Sequence, residues 1–234
     1  MTRKKSNIKI IEPKNKKQKE FFNALAERDV IFATGSAGSG KTFLAAAKAL
    51  EYLDFAFVGR IVIIRPVVAT EDLGYLPGNM EEKLDPYLAP LMDAFTDVSN
   101  PKRVQDLLQT GEIEIAPLAF MRGRTFSDAF IILDEAQNTT IDQMKMFLTR
   151  FGENVKVVIT GDLSQTDIKG VNGLAWATEK LEKCSSVQII KYVNSDSVRS
   201  ALVRNLLRYI DTPDDKSKKT LPTAISEIVK PKSF

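Results

Sequence analysis

The sequence predicts an α/β domain with a mostly parallel sheet flanked by helices. Three observations carry this prediction. Asp29-Val-Ile-Phe-Ala-Thr34, a short apolar run rich in β-formers, leads through a glycine-rich turn into Phe43-Leu-Ala-Ala-Ala-Lys-Ala-Leu-Glu-Tyr-Leu53, a run of helix formers. Gly59-Arg-Ile-Val-Ile-Ile-Arg65, Phe130-Ile-Ile-Leu133 and Asn154-Val-Lys-Val-Val-Ile-Thr160 are dominated by apolar β-formers, as expected of strands covered on both faces in a parallel sheet. Helical patterns alternate with these runs, the order expected of a doubly wound α/β fold.

The chain has 234 residues, a length suited to one such domain with tails, and 44% are hydrophobic, enough for a substantial core. The expected division is a basic tail over 1–14, the α/β domain over 15–210 and a poorly ordered, Pro- and charge-rich tail over 211–234. From Arg3 to Lys19 the charges are basic except for Glu12. This stretch reads either as a solvated arm or as one that contacts the phosphates of RNA or DNA. Asn15-Lys-Lys-Gln18-Lys-Glu-Phe21-Phe22-Asn-Ala-Leu25 begins the first helix, with Phe21, Phe22 and Leu25 on its buried side.

Further along, Val67–Asn79 reads as a long loop at the edge where such sheets bind ligands. Met80–Val98 reads as helix interrupted near Pro86 and Pro90, and Lys102–Gln109 as a helix entered through Asn100-Pro101. Glu112–Pro117 alternates like a strand. Arg122-Gly123-Arg124 then reads either as a solvated loop or as a phosphate-binding site, because Arg forks match phosphate oxygens. Thr139-Thr140 caps a helix over Ile141–Phe151, in which Met144, Phe147 and Leu148 face the core. Gly173–Lys183 reads as a helix and Val187–Tyr192 as a last strand. Asp196–Ile210 reads as an amphipathic helix with Val198, Leu202, Leu206 and Tyr209 on its buried side.

Composition excludes several chemistries. The chain has no histidine, so no catalytic triad or histidine base exists, and carboxylates, Lys, Arg and metal must serve. Its single cysteine, Cys184, rules out an intramolecular disulfide or a multi-cysteine zinc site and suits the cytoplasm. No apolar run approaches the roughly 18 residues of a membrane span, and the charged N-terminus has no apolar segment behind it, so no membrane role is expected.

Two motifs carry chemistry. Gly35-Ser36-Ala37-Gly38-Ser39-Gly40-Lys41-Thr42 fits the P-loop pattern, with strand before and helix after, as that motif requires. Its glycines let backbone N–H groups approach phosphate oxygens, and the following helix, beginning around Phe43, aims its positive dipole end at the same anion. Lys41 is placed to reach the β- and γ-phosphates of ATP and Thr42 to hold Mg²⁺. Asp134 and Glu135 stand at the tip of an apolar strand, Asp134 as the second Mg²⁺ holder and Glu135 to polarise an attacking water. Gly161–Asp167 follows another strand and reads either as a segment that hydrogen-bonds the γ-phosphate or as a helix cap. Gln18 reads either as a surface residue or as an adenine reader through its amide.

Together, Gly35–Thr42, Ile64-Arg-Pro-Val67, Leu73–Gly78, Pro117–Thr125, Ile131–Thr140 and Thr160–Gln165 resemble the ATPases of the PhoH family, relatives of superfamily 1 helicases. The resemblance spans roughly residues 15 to 210. It implies a single RecA-like core with ATP and Mg²⁺ at the P-loop, Gln18 as adenine reader, Gln165 as γ-phosphate sensor, and a ring-forming ATPase linked to RNA or DNA. Some longer relatives carry a nuclease domain, for which this chain has no room. Asp196-Ser-Val-Arg199-Ser200 departs from the family's Asp-x-Val-Arg-His pattern, leaving Arg199 matched but without the histidine.

The resulting expectation is ATP hydrolysis coupled to unwinding or remodelling of RNA or single-stranded DNA. The alternative is a nucleotide-gated nucleic-acid clamp that does not unwind. A single lobe must receive its arginine finger from a neighbour, so a homo-oligomeric ring, hexameric by preference, is expected, with Arg199 the first candidate finger and Arg122 the second.

Overall fold

A computed structural model describes residues 11–66 and 91–210 of the chain. The loop expected over Val67–Asn79, the first part of the helical stretch after it, residues 1–10 with the start of the basic arm, and the tail over 211–234 lie outside the described residues. The chain forms two compact units, Met1–Val198 and Arg199–Phe234.

The first unit is a six-stranded sheet in which every pairing is parallel. Its strands are β1 (Val30–Gly35), β2 (Arg60–Arg65), β3 (Ile113–Pro117), β4 (Ala129–Leu133), β5 (Val155–Gly161) and β6 (Val187–Tyr192), in the spatial order β3-β2-β4-β5-β1-β6. The α/β prediction holds. Because all strands run the same way, the C-terminal tips of β1, β2, β4 and β5 share one edge, where such sheets bind ligands. β1 and β4 are not neighbours, since β5 lies between them and pairs with both.

The helices are α1 (Lys16–Glu27), α2 (Lys41–Asp54), α3 (its described residues are 91–98), α4 (Pro101–Gln109), α5 (Ile141–Leu148) and α6 (Gly173–Lys180). Their starts follow local chemistry. Asn15 accepts from the Gln18 N–H (2.8 Å), Asn100 from the Lys102 N–H (2.8 Å) and Asn172 from the Ala175 N–H (2.8 Å), each filling an otherwise unpaired donor. Thr140 and Gln143 form a reciprocal capping box at α5.

Alternation along the strands sends side chains to two cores. On one face Ile31, Ile61, Ile63, Phe130 and Ile132 pack against Phe21, Leu25, Leu44, Leu50 and Phe95 of the helices. On the other, Phe32, Val62, Ile64, Ile131 and Leu133 meet Met144, Phe147 and Leu174. All of these are essentially sealed from solvent. At about 1.5–3 kcal/mol for each fully buried large apolar side chain, these two layers fix the strand tips that carry the polar groups.

Three boundaries differ from expectation. α5 stops at Leu148, not Phe151, because the main chain of 150–152 bonds instead to Phe126 (Phe126 N to Arg150 O 2.8 Å, Gly152 N to Phe126 O 2.7 Å). α6 stops at Lys180, short of Lys183, where the chain turns through Cys184 N to Leu181 O (3.0 Å). The expected helix over Asp196–Ile210 begins only at Ala201. Asn194–Asp196 instead form a short 3-10 turn, capped by the Asp196 carboxylate on the Val193 N–H (2.9 Å), and Val198 N is bonded to Gly38 O (2.9 Å) and not to a helical carbonyl. This last helix, α7 (Ala201–Ile210), belongs to the second unit. Its apolar face is a correction: Leu202, Leu206 and Tyr209 are exposed, not buried.

Candidate active site

The P-loop joins β1 to α2. Gly35, Gly38 and Gly40 have positive φ (116°, 77° and 82°), where a side chain is strained. A Cβ on Gly35 would in addition lie 2.0 Å from the Tyr192 carbonyl oxygen of the adjoining strand. Gly40 stands at the N-cap of α2 and, having no side chain, makes no cap bond of its own there. Lys41 is buried inside the loop it serves. Its Nζ donates to Gly35 O (2.7 Å), Ser36 O (2.9 Å) and Ser39 Oγ (3.1 Å), which wraps the loop around one ammonium.

Across the cleft, Asp134 leaves the tip of β4 and is buried. Its Oδ1 accepts from the hydroxyls of both Thr42 (2.9 Å) and Thr160 (2.5 Å). Thr160 reaches it because β5 is the strand beside β4. Glu135 follows in the left-handed region (φ 54°, ψ 37°), a conformation costing a non-glycine residue about 1–3 kcal/mol and concentrated at functional sites. Its carboxylate is half-exposed to the cleft, receives Gln137 Nε2 at 2.5 Å and lies 3.8 Å from Arg65 Nη2 at the tip of β2.

Asp162, at the tip of β5, ties the third side together. Its Oδ2 accepts the P-loop N–H of Ala37 (3.1 Å), and its Oδ1 accepts both the N–H and the hydroxyl of Ser164 (3.0 and 2.6 Å). Of the two readings of 161–167, the helix cap is not what forms, since no helix follows directly. Ala37, Gly38, Gly40, Lys41, Thr42, Phe43, Asp134, Glu135, Asp162 and Gln165 all line one cleft of about 250 Å³.

The other P-loop residues and Gln18 lie in the loop or directly behind it. Gly35 forms the end of β1, Ser36 donates to Val193 O (3.1 Å), and Ser39 is fully buried under Lys41. Gln18 is buried behind the loop, not on the surface. Its Nε2 donates to Ser39 O (2.8 Å) and its Oε1 accepts from Lys14 N (2.7 Å), leaving one hydrogen and one lone pair of the amide. Arg122 is exposed beyond β3, the outermost strand on its side. The two-arginine phosphate site is a correction. Arg124 lays its fork on Glu114 (2.5 and 2.9 Å) and stacks over Phe126, and this bond holds the Glu114 carboxyl below its usual range. Arg199 opens the second unit, before α7.

Sequence reasoning missed Gln137 and Thr160 as parts of this site. The available signal was position: each lies at or just beyond the C-terminal tip of a buried strand, beside a flagged acid or loop.

Mg²⁺ demands hard oxygen donors and usually takes only one or two from protein. The Thr42 hydroxyl and Asp134 carboxylate, already in contact at 2.9 Å, fit that demand. A parallel sheet with a glycine loop closing on a buried Lys, facing a Thr–Asp pair and a second acid, is the architecture of a P-loop NTPase domain.

The model of the PhoH-like protein family matches residues 10–211. The chain is 49% identical over 202 residues to a PhoH-like protein of Mycobacterium tuberculosis, covering 85% of this chain and 57% of that one. It is 48% identical over 211 residues to a PhoH-like protein of Bacillus subtilis (89% and 66% covered) and 46% identical over 212 residues to Protein PhoH of Escherichia coli (88% and 60%). The chain belongs to the PhoH family, and it spans about three fifths of the length of these relatives. Among solved structures it is similar to the Hef helicase domain of Pyrococcus furiosus (12% identity, TM-score 0.46, covering 75% of this chain and 37% of that one). It is also similar to the Pif1 helicase from Candida albicans (15%, TM-score 0.43, 87% and 43%). Among the described residues no helix is long and apolar enough to cross a membrane.

Proposed function

We propose that the chain binds ATP with Mg²⁺ at the P-loop, hydrolyses it, and couples turnover to RNA or single-stranded DNA as a homo-oligomeric ring, hexameric by preference. The observation that carries the reading is the convergence of Lys41, Thr42, Asp134, Glu135 and Gln165 on one cleft. Backbone N–H groups of the loop and the Lys41 ammonium bind the triphosphate. Thr42 and Asp134 hold Mg²⁺, which neutralises charge on the phosphate oxygens. Glu135 orients and polarises the attacking water, and Gln165, exposed on the loop after β5, contacts the γ-phosphate. Gln18, whose amide is bonded to Ser39 O and Lys14 N, offers its remaining hydrogen and lone pair to adenine.

An arginine finger contributes about 10³–10⁵ in rate to such reactions. A single lobe obtains one from its neighbour in a head-to-tail ring, with Arg199 first and Arg122 second. Turnover by Arg199→Ala at oligomer-forming concentration tests this. A fall of at least about 10³-fold with the oligomer intact supports it, and unchanged turnover transfers the role to Arg122 or to neither. Nucleic-acid coupling is tested by turnover with and without single strands. Stimulation without strand separation would favour the nucleotide-gated clamp over the unwinding motor.

A further inference from the structure

Gln137 is used by none of the roles above, yet it is 1% exposed and both ends of its amide are engaged. Its Oε1 accepts the main-chain N–H of Asp162 at 3.0 Å. A backbone N–H can only donate, so that contact settles which end of the amide is oxygen. The NH₂ end must then face the Glu135 carboxylate, 2.5 Å away. A bond from an amide N–H to a carboxylate is of the stronger, charge-assisted kind.

The approach is close by construction. A Cβ on Gly161 would lie 2.6 Å from Gln137 Oε1, so only glycine admits the side chain at this point of β5. Gln137 is held from below as well, since its own carbonyl accepts from Thr166 Oγ1 (2.9 Å). Asp162, whose N–H it receives, also holds Ala37 of the P-loop and begins the turn that ends at Gln165, where Gln165 N bonds Asp162 O (3.0 Å). The amide therefore stands between the carboxylate that activates water and the loop that meets the γ-phosphate.

We infer that Gln137 is a positioning residue that holds the Glu135 carboxylate in register with the Asp162–Gln165 loop, so that displacement of the loop by nucleotide is transmitted to the water-activating group. The inference rests on the ATPase reading. Glu135 is in a left-handed conformation with Arg65 at 3.8 Å, and among the described contacts its carboxylate receives its hydrogen bond from Gln137, so its direction depends on that donor.

Two variants of the full chain test it. Gln137→Glu keeps the length and the acceptor for Asp162 N–H but replaces the donor to Glu135 with a second carboxylate. Gln137→Met keeps the length and removes both contacts. The readouts are kcat at saturating Mg·ATP, affinity for Mg·ADP, and the melting temperature. A general base contributes about 10²–10⁴ to rate, and misdirecting it forfeits part of that. Both variants should lose about 10- to 100-fold in kcat while Mg·ADP affinity stays within about twofold. If Gln137→Glu turns over like wild type, or if kcat and Mg·ADP affinity fall in parallel, Gln137 only supports the fold and the inference is overturned. Should Gln137→Glu melt before assay temperature, Gln137→Met decides by the same criterion. Glu135→Gln separates the two claims. If it hydrolyses ATP like wild type, the ATPase assignment of Glu135 fails; if it is inactive and both Gln137 variants are normal, the positioning inference alone fails.

Discussion

Thr160→Val isolates the contact that fixes Asp134. The two side chains have nearly the same shape, so the substitution removes one hydroxyl and little else. That hydroxyl is 1% exposed at the residue level and donates to Asp134 Oδ1 at 2.5 Å, with a longer contact to Leu133 O at 3.4 Å. A hydrogen bond to a charged group contributes about 1.5–3 kcal/mol net, and stability to urea should fall by that amount. The same oxygen accepts from Thr42 at 2.9 Å, so Thr42→Val alone should cost a similar or smaller amount. Removing both leaves a buried carboxylate oxygen without a donor. The double variant should therefore lose more than the sum, by about 0.5–3 kcal/mol of coupling. Urea melts of the four proteins without nucleotide close the cycle. Additive losses, or a Thr160→Val protein as stable as wild type, would refute the reasoning that two hydroxyls jointly hold Asp134.

Other outcomes follow from the same geometry. Gly35→Ala meets both a forbidden φ and a backbone oxygen at 2.0 Å, whereas Gly111→Ala has φ +77° but nothing within 4 Å. Gly111→Ala should cost about 1–2 kcal/mol and Gly35→Ala clearly more, compared by urea unfolding; equal costs would remove the clash from the account. Glu114 is held below the usual carboxylate value by Arg124, so its stabilising effect is present above the unfolded value near 4.5 and is lost as pH falls through the lower folded value. Wild type should exceed Glu114→Gln in stability at neutral pH by no more than about 1 kcal/mol, because the pair is partly solvated. The gap should close in acid; a gap that widened there would contradict the pairing.

Much of the fold was legible because its signals are local. Runs such as Ile61–Ile64 and Phe130–Leu133 are apolar at both parities, which only a doubly covered strand tolerates, and Asn15, Asn100 and Thr140 announce helix starts through their own side chains. The P-loop and Asp134-Glu135 were legible because their chemistry needs fixed residue types at fixed spacing. What escaped depends on partners distant in sequence. Gln137 matters through the main-chain N–H of Asp162, and a main-chain donor leaves no mark in the sequence. Thr160 is an ordinary strand residue until β5 is placed beside β4. Arg124 looked available for phosphate because Glu114, on the preceding strand, faces it only once β3 turns back through 118–121. The start of α7 was set too early because the tie from Val198 to the P-loop carbonyl of Gly38 is likewise main chain to main chain.

The most direct measurement is steady-state ATP hydrolysis at fixed low salt, alone and with single-stranded RNA or DNA, with Glu135→Gln alongside. The account predicts turnover that one of the nucleic acids stimulates strongly and that Glu135→Gln abolishes while still binding Mg·ATP. Turnover indifferent to both nucleic acids would contradict the coupling, and turnover surviving Glu135→Gln would contradict the site itself.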